Sequence, residues 1–273
     1  MRRNHLLQLL HDNRGPFTPI QARIVQADKG KGEATVYLYD PIVGDRLTAE
    51  WWGGVCPQDF VPALAAIEAD TIRLRINCGG GDVFAAEAMC QAIRDQKAHV
   101  VAQVEGLAAS AATVITCACD EVLITANSKF MVHESWTFAM GNKRDLAQTI
   151  ELLAKADQTM FEEYVRKTGA TMEEVVAWCE AETWFTGQEA VDAKFADGLV
   201  SATQAGAKAS ARAQWKLSAY SKPPADHTPA EPPEPAEPAK ATPDHRARQQ
   251  QRLRVAALLD SRSALAQPSP ARR

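Results

Sequence analysis

An α/β fold of stacked strand, helix, strand units is what the sequence predicts, and two observations predict it. From about residue 20 to residue 203, short runs rich in branched residues alternate with segments whose apolar residues recur at helical spacing, the pattern of βαβ units rather than of a bundle or a sandwich. At 273 residues, 46% of them hydrophobic, the chain can bury one substantial core, so one domain with appendages is expected.

Taken in order, residues 1–19 form a leader or arm. The apolar run of Leu6, Leu7, Leu9 and Leu10 is broken by Gln8 and ended by His11 and Asp12, which makes it a short amphipathic helix or a removable leader rather than a full signal segment. Strands are expected at 34–39, 71–77, 100–105, 121–125 and 129–132, with helices at 57–69, 85–96 and 110–119 between them. Parallel strands joined by right-handed crossovers follow. A longer helix is expected over 143–168, where Leu146, Ile150, Leu153, Met160, Phe161 and Tyr164 recur every three or four residues and Gly169 is placed to end it. Its stripe suits either a core-covering helix or an oligomer contact, and spacing leaves both open.

Beyond the domain the composition changes. Ten of the fifteen prolines lie from Pro223 onward, many of them between Pro229 and Pro238, so 204–245 is expected to be an extended, mobile linker. Residues 246–273 carry seven arginines against the single acid Asp260. Within this basic tail 255–259 could form a short amphipathic helix. The tail suits a solvated end or a docking peptide for an acidic protein partner, with nucleic acid a minor option. The whole chain has a formal net charge of only −4, which does not suggest a nucleic-acid or membrane protein. No stretch approaches the roughly 18 continuous apolar residues of a membrane span. The six cysteines are scattered, with no Cys-x-x-Cys pair and no Cys/His cluster, so buried reduced thiols of a cytoplasmic protein are expected rather than a metal or redox site.

Three segments carry polar chemistry, and each falls at the end of an expected strand, where open α/β folds place their sites. The first, Asn77-Cys78-Gly79-Gly80-Gly81-Asp82, runs a strand into three glycines and then a helix. Residues without Cβ let a backbone N–H come close to a reacting oxygen or to an extended peptide. A phosphate cradle is the rival, but the loop lacks the Gly-Lys-Ser/Thr ending and the dinucleotide spacing. The second, Gly106-Leu107-Ala108-Ala109-Ser110-Ala111-Ala112, sets a serine among alanines at a helix start. Small neighbours leave the hydroxyl accessible, and the helix N-terminus favours negative charge nearby; a simple N-cap is the other reading. The third, Met131-Val132-His133, brings an imidazole to a strand end. Of the six histidines only His99 and His133 lie within the domain, and His99 precedes its strand, at the opposite end.

Together with Glu182-Thr183-Trp184-Phe185-Thr186-Gly187-Gln188-Glu189-Ala190-Val191, these motifs resemble in order and spacing the Clp-protease proteolytic subunit family over about 22–202. In its Gly-Gly-Asp and Glu-Thr-Trp wording the chain is more similar to the phage branch, the Clp-like prohead maturation proteases. The resemblance implies a ClpP/crotonase-like spiral of ββα units with a protruding handle helix at 143–168, the part by which rings meet. It also implies a Ser-His-acid triad: Ser110 as nucleophile, His133 as general base and Glu182 as the acid, with Glu180 a nearby alternative. The N–H groups of Gly80 and Ala111 would form the oxyanion hole, and Gly81 and Asp82 would bind substrate. No metal or organic cofactor is implied. Two departures stand out: the family's acid is commonly aspartate, one methylene shorter, and the proline of its Asn-Ser-Pro-Gly-Gly loop is absent here.

The expected activity is therefore that of a serine endopeptidase acting on proteins as a homo-oligomer, with a ring implied by the resemblance. One version is a phage-type head maturation enzyme that cuts scaffold or capsid precursors, in the host cytoplasm or inside an assembling shell, its linker and basic tail tethering it or being trimmed away. Another is a housekeeping peptidase fed by an AAA+ ATPase unfoldase. A crotonase-like acyl-CoA enzyme would share the fold without needing a Ser-His pair. An assembly scaffold acting through the tail, and Cys78 as nucleophile, complete the alternatives.

Overall fold

Alternate residues of the strand Glu33–Leu38 are buried, and the strands that follow it repeat the alternation less strictly as they approach the centre of the sheet. The computed structural model describes residues 5–26, 32–200 and 215–224, and among these eight strands join in one sheet. They are β1 (Ile24–Gln26), β2 (Glu33–Leu38), β3 (Thr71–Cys78), β4 (His99–Ala109), β5 (Glu121–Ile124), β6 (Lys129–Val132), β7 (Thr183–Thr186) and β8 (Gly198–Leu199). The main path runs β1-β2-β3-β4-β5-β8, with β6 beside β4 and β7 beside β6. Only β1 with β2 and β6 with β7 pair antiparallel; the other pairs are parallel. Helices α1 (His5–Asp12), α2 (Arg46–Trp52), α3 (Pro57–Ala65), α4 (Val83–Arg94), α5 (Ala111–Cys117), α6 (Lys143–Thr168), α7 (Met172–Glu180) and α8 (Gly187–Asp192) complete the elements. This is the mixed α/β architecture, parallel at its centre, that the alternation of strand and helix signals predicts.

Strand β4 organises the sheet by changing partner along its length. Val101–Val104 pair with β5, whereas Leu107, Ala108 and Ala109 pair with Lys129, Phe130 and Met131 of β6. The switch falls at Gly106, whose φ of +124° favours glycine. A Cβ there would also stand 3.0 Å from the Asn77 side-chain oxygen. The Gly106 N–H, turned out of the ladder, donates to Ser128 Oγ at 2.7 Å, so the freed backbone group is satisfied. The bend sends the end of β4 into a second layer and gives the sheet its spiral course.

Below that layer lies an aromatic cluster. Phe195 is fully buried, with Phe130, Tyr164, Trp178 and Phe185 around it at ring-centroid distances of 4.9 to 5.6 Å. These rings come from β6, α6, α7, β7 and the turn after α8, so one cluster fixes β6 against three helices and its antiparallel neighbour. Helix α6 matches the expected bounds. It opens on a capping box formed by Asn142 and Asp145 and closes at Gly169 in the left-handed conformation. Only its second half packs: Met160, Phe161 and Tyr164 are buried, while Leu146, Ile150 and Leu152 are exposed. The apolar stripe thus continues past the surface that could cover it.

Several elements depart from the expectation. Helix α2 carries no periodic apolar signal of its own and forms behind an Asp45 N-cap, and β7 is a four-residue strand recruited by β6. Residues 215–224, inside the stretch expected as mobile linker, pack on the domain: Trp215, Leu217, Ala219 and Tyr220 are buried beside Leu9, Leu107, Ala109 and Met131. The proline signal starts only at Pro223, and these apolar side chains precede it. The rest of 204–245 and the basic tail 246–273, with its suggested helix at 255–259, lie outside the described residues. Residues 5–12 form the amphipathic helix anticipated for the arm. Among the described residues no helix is long and apolar enough to cross a membrane.

Replacing Phe195 by Ala should cost about 3–5 kcal/mol of unfolding free energy, as large cavities in aromatic cores do, read as a shift in the urea midpoint. None of the six cysteines is in a disulfide, and all are buried. Burial pushes the thiols of Cys90, Cys117 and Cys119 well up and that of Cys179 up to about 12. Because the thiolate is the reactive form, iodoacetamide at neutral pH should leave the native protein unmodified over the time in which it alkylates the unfolded chain, as judged by intact mass.

Candidate active site

Parallel pairing brings Ser110 and His133 together. Each is the residue just beyond a strand, β4 or β6, and the register sets Ala109 opposite Met131. The Ser110 N–H then donates to Met131 O at 2.9 Å, continuing the ladder by one bond. The consequence is a distance of 2.7 Å between Ser110 Oγ and His133 Nε2. Ser110 occupies the N-cap position of α5, yet its side chain makes no capping hydrogen bond. The N-cap reading of this serine is thereby replaced: the hydroxyl faces the imidazole instead of the helix.

The backbone at Ser110 is strained, with φ +55° and ψ −129°, a region that side chains of L-residues rarely occupy. A sharp strand-to-helix turn of this kind lifts the hydroxyl clear of the sheet. Two hydrogen bonds to the Ser110 carbonyl, from Thr113 N at 2.8 Å and Thr113 Oγ1 at 2.6 Å, hold the turn. With its proton committed there, Thr113 Oγ1 accepts from Tyr164 OH of α6 at 2.6 Å.

The glycine loop packs directly on this turn. A Cβ on Gly80 would stand 2.6 Å from Ala109 O and 2.8 Å from Ser110 Cβ, and one on Gly81 would lie 1.9 Å from Ile42 O. Both residues also have positive φ, +87° and +147°, so glycine is required twice over for the loop to reach the serine. Ile42 clamps the loop by donating to Gly80 O at 2.9 Å and accepting from Asp82 N at 3.0 Å. The Gly80 N–H donates to Cys78 Sγ at 3.3 Å. Ala111 is the first residue of α5, where helix N–H groups have no intrahelical partner.

A cleft of about 150 Å³ opens beside the pair, and Ser110, Ala111, His133, Gly81 and Asp82 all line it. Its walls are largely apolar: Leu6 and Leu9 of α1, Phe84 of α4, Trp136, Met160 of α6 and Tyr220. Asp82 serves locally as the N-cap of α4, accepting from Ala85 N at 2.8 Å. Partial burial first, then the nearby Asp157 and Glu180, raises the Glu134 carboxyl above its ordinary range. Burial, reinforced by Cys78 and Glu182, raises the Tyr220 phenol strongly, leaving it a hydroxyl donor at any physiological pH.

The remaining sequence candidates fall differently. The Glu182 carboxylate accepts from Ser221 N at 2.9 Å, Lys222 N at 2.6 Å and Trp184 Nε1 at 3.4 Å, so among the described residues it makes no hydrogen bond to His133. The residue itself sits at φ +49°. Glu180 is exposed at the end of α7. His99 opens β4 at the end away from Ser110, beside Asp120 and Glu121 at 3.7 and 3.6 Å. Cys78 is buried under the glycine loop. The sequence reading missed the contributions of α1 and of Trp215 and Tyr220. The signal available for the latter was two aromatic residues in an otherwise small and polar stretch.

Comparison with known proteins identifies the family. The Clp protease family matches residues 56–203. ATP-dependent Clp protease proteolytic subunits of Streptococcus pneumoniae strains Hungary19A-6, CGSP14 and TIGR4 are each 31% identical over 187 residues, a match covering 65% of this chain and 95% of each relative. With the family matched over more than half of its length and the relatives matched over nearly all of theirs, the chain belongs to the Clp protease family of serine peptidases.

Proposed function

We propose that this chain is a serine endopeptidase in which Ser110 is the nucleophile and His133 the general base, and that its biological role is the phage-type one, maturation of a capsid or scaffold assembly. The observation that carries the catalytic part is the 2.7 Å contact between Ser110 Oγ and His133 Nε2 at a helix start where the hydroxyl does no capping. His133 takes the hydroxyl proton as Ser110 attacks a peptide carbonyl, then returns it to the leaving amine; water, activated by the same imidazole, hydrolyses the acyl-enzyme. The developing oxyanion is met by Ala111 N–H at the start of α5 and by Gly80 N–H. Sulfur is a weak acceptor, so the Gly80 N–H, 3.3 Å from Cys78 Sγ, keeps its proton available to be shared with a charged oxygen on the Ser110 side. Gly81 and Asp82, at the mouth of the cleft, flank an extended substrate, and the apolar walls favour a large apolar side chain next to the scissile bond.

The maturation role draws on the resemblance in the Gly-Gly-Asp and Glu-Thr-Trp motifs, and on the third of the chain that has no counterpart in the bacterial relatives. A second reading follows the relatives' own description as proteolytic subunits of an ATP-dependent protease. In both readings the enzyme works as a homo-oligomer in the cytoplasm, or in an assembling shell, and the exposed apolar half of α6, with Leu146, Ile150 and Leu152, is the contact offered to a second copy.

Ser110→Ala and His133→Ala should each stay folded and lose at least about a thousandfold in kcat on a casein or peptide substrate. A fluorophosphonate should label the wild type at Ser110 and neither variant, as located by peptide mass. Wild-type protein that is folded yet takes no label would remove the peptidase assignment. Hydrolysis of folded substrates only with an added unfoldase and ATP would favour the second reading over the first.

A further inference from the structure

The glycine loop beside the nucleophile is held by side chains that lie outside the matched residues 56–203. Trp215 Nε1 donates to Asn77 O at 3.1 Å, and Tyr220 OH donates to Gly79 O. The second bond has a geometric consequence. The Gly79 carbonyl and the Gly80 N–H belong to one planar peptide unit and point in opposite directions. Fixing the oxygen fixes the direction of the N–H. Flanked by glycine on both sides, this unit meets little steric resistance to rotation, so its orientation is defined by its hydrogen bonds: the weak one from the N–H to Cys78 Sγ and the stronger one that Tyr220 gives the oxygen.

We infer that Tyr220 and Trp215 are positioning residues for catalysis, locking the Gly79–Gly80 peptide plane and with it the oxyanion donor next to Ser110. The segment is built to stay in place. Trp215 and Tyr220 are 4% and 6% exposed. Upstream, Asn13 of the arm bonds Lys216 both ways, through Nδ2 to O and from N to Oδ1, each at 2.9 Å. Downstream, Glu182 receives the N–H groups of Ser221 and Lys222, and Lys222 Nζ reaches Ala181 O at 2.5 Å. The Tyr220 ring stands edge-on to the His133 imidazole with centroids 5.5 Å apart, so the same side chain braces the base and the loop. Gly79 is complementary to this contact, since a Cβ there would lie 2.7 Å from the Trp215 ring. Glu182 accordingly acts on the site through the segment that it anchors.

This inference rests on the peptidase reading, and its test separates the two. Tyr220→Phe keeps the ring and removes the bond to Gly79 O; Trp215→Phe keeps an aromatic ring and removes the bond to Asn77 O. Kinetics are measured per active site, with sites counted by fluorophosphonate titration, so that any misfolded fraction is excluded. A loss of a donor's alignment costs less than loss of the donor itself, which is about a hundredfold or more. We therefore expect kcat in Tyr220→Phe to fall about tenfold with KM unchanged, and Gly79→Ala, which displaces Trp215 from the other side, to show the same split. An unchanged kcat per titrated site would overturn the inference, and a raised one would overturn it in favour of an inhibitory strap. Failure of the wild type to titrate would instead strike the peptidase reading beneath it.

Discussion

The pairing of β4 with β6 beyond Gly106 is the constraint on which the rest of this molecule depends. Two residues 23 positions apart in the chain become neighbours because two short parallel segments share a register, and a shift of one residue would turn His133 to the other face of its strand. That register exists because β4 changes direction at a residue with no side chain, and because Phe130 anchors β6 in the aromatic cluster around Phe195. The contact between Ser110 and His133 is therefore specified by packing well away from it. It also accounts for the alanines at 108, 109, 111 and 112 around Ser110: the glycine loop closes on backbone there, and larger side chains would hold it away from Ser110.

A good part of this arrangement was legible in the residues. Strand ends marked the positions of Ser110 and His133, because parallel sheets collect functional groups at their carboxyl edges. The bounds of α6 followed from a long apolar repeat closed by Gly169, and the loop of three glycines announced a close approach of backbone. What could not be read was cooperative in origin. The stripe on α6 looks continuous in sequence, yet only the half lying over α5 and α7 is buried against the described residues. Helix α2 depends on a single capping aspartate and tertiary contacts. The environment of Glu182 depends on a segment some forty residues later, whose place in the fold is set by Trp215 and Tyr220 finding a hydrophobic seat beside Leu9 and Met131. Composition averaged over 204–245 is dominated by its prolines and conceals those two rings.

Helix α6 and the turn at Ser110 are directly connected. Tyr164, buried in the aromatic cluster, meets Thr113, whose hydroxyl holds the Ser110 carbonyl in its strained conformation. Met160, on the same helix, forms part of the cleft wall. The strained turn at Ser110 is thus tied by two short hydrogen bonds to a helix that extends outward to an exposed apolar end.

The seating of Tyr220 also fixes when in its life the protein acquires a finished cleft. Chains are synthesised from the amino terminus, and the serine, the histidine and the strands that align them all precede the segment that braces them. A polypeptide still attached to the ribosome before residue 220 emerges would carry Ser110 beside an unbraced glycine loop, with one wall of the cleft missing. The order of the chain therefore lets the cleft close only once Tyr220 has followed the strands that bear Ser110 and His133.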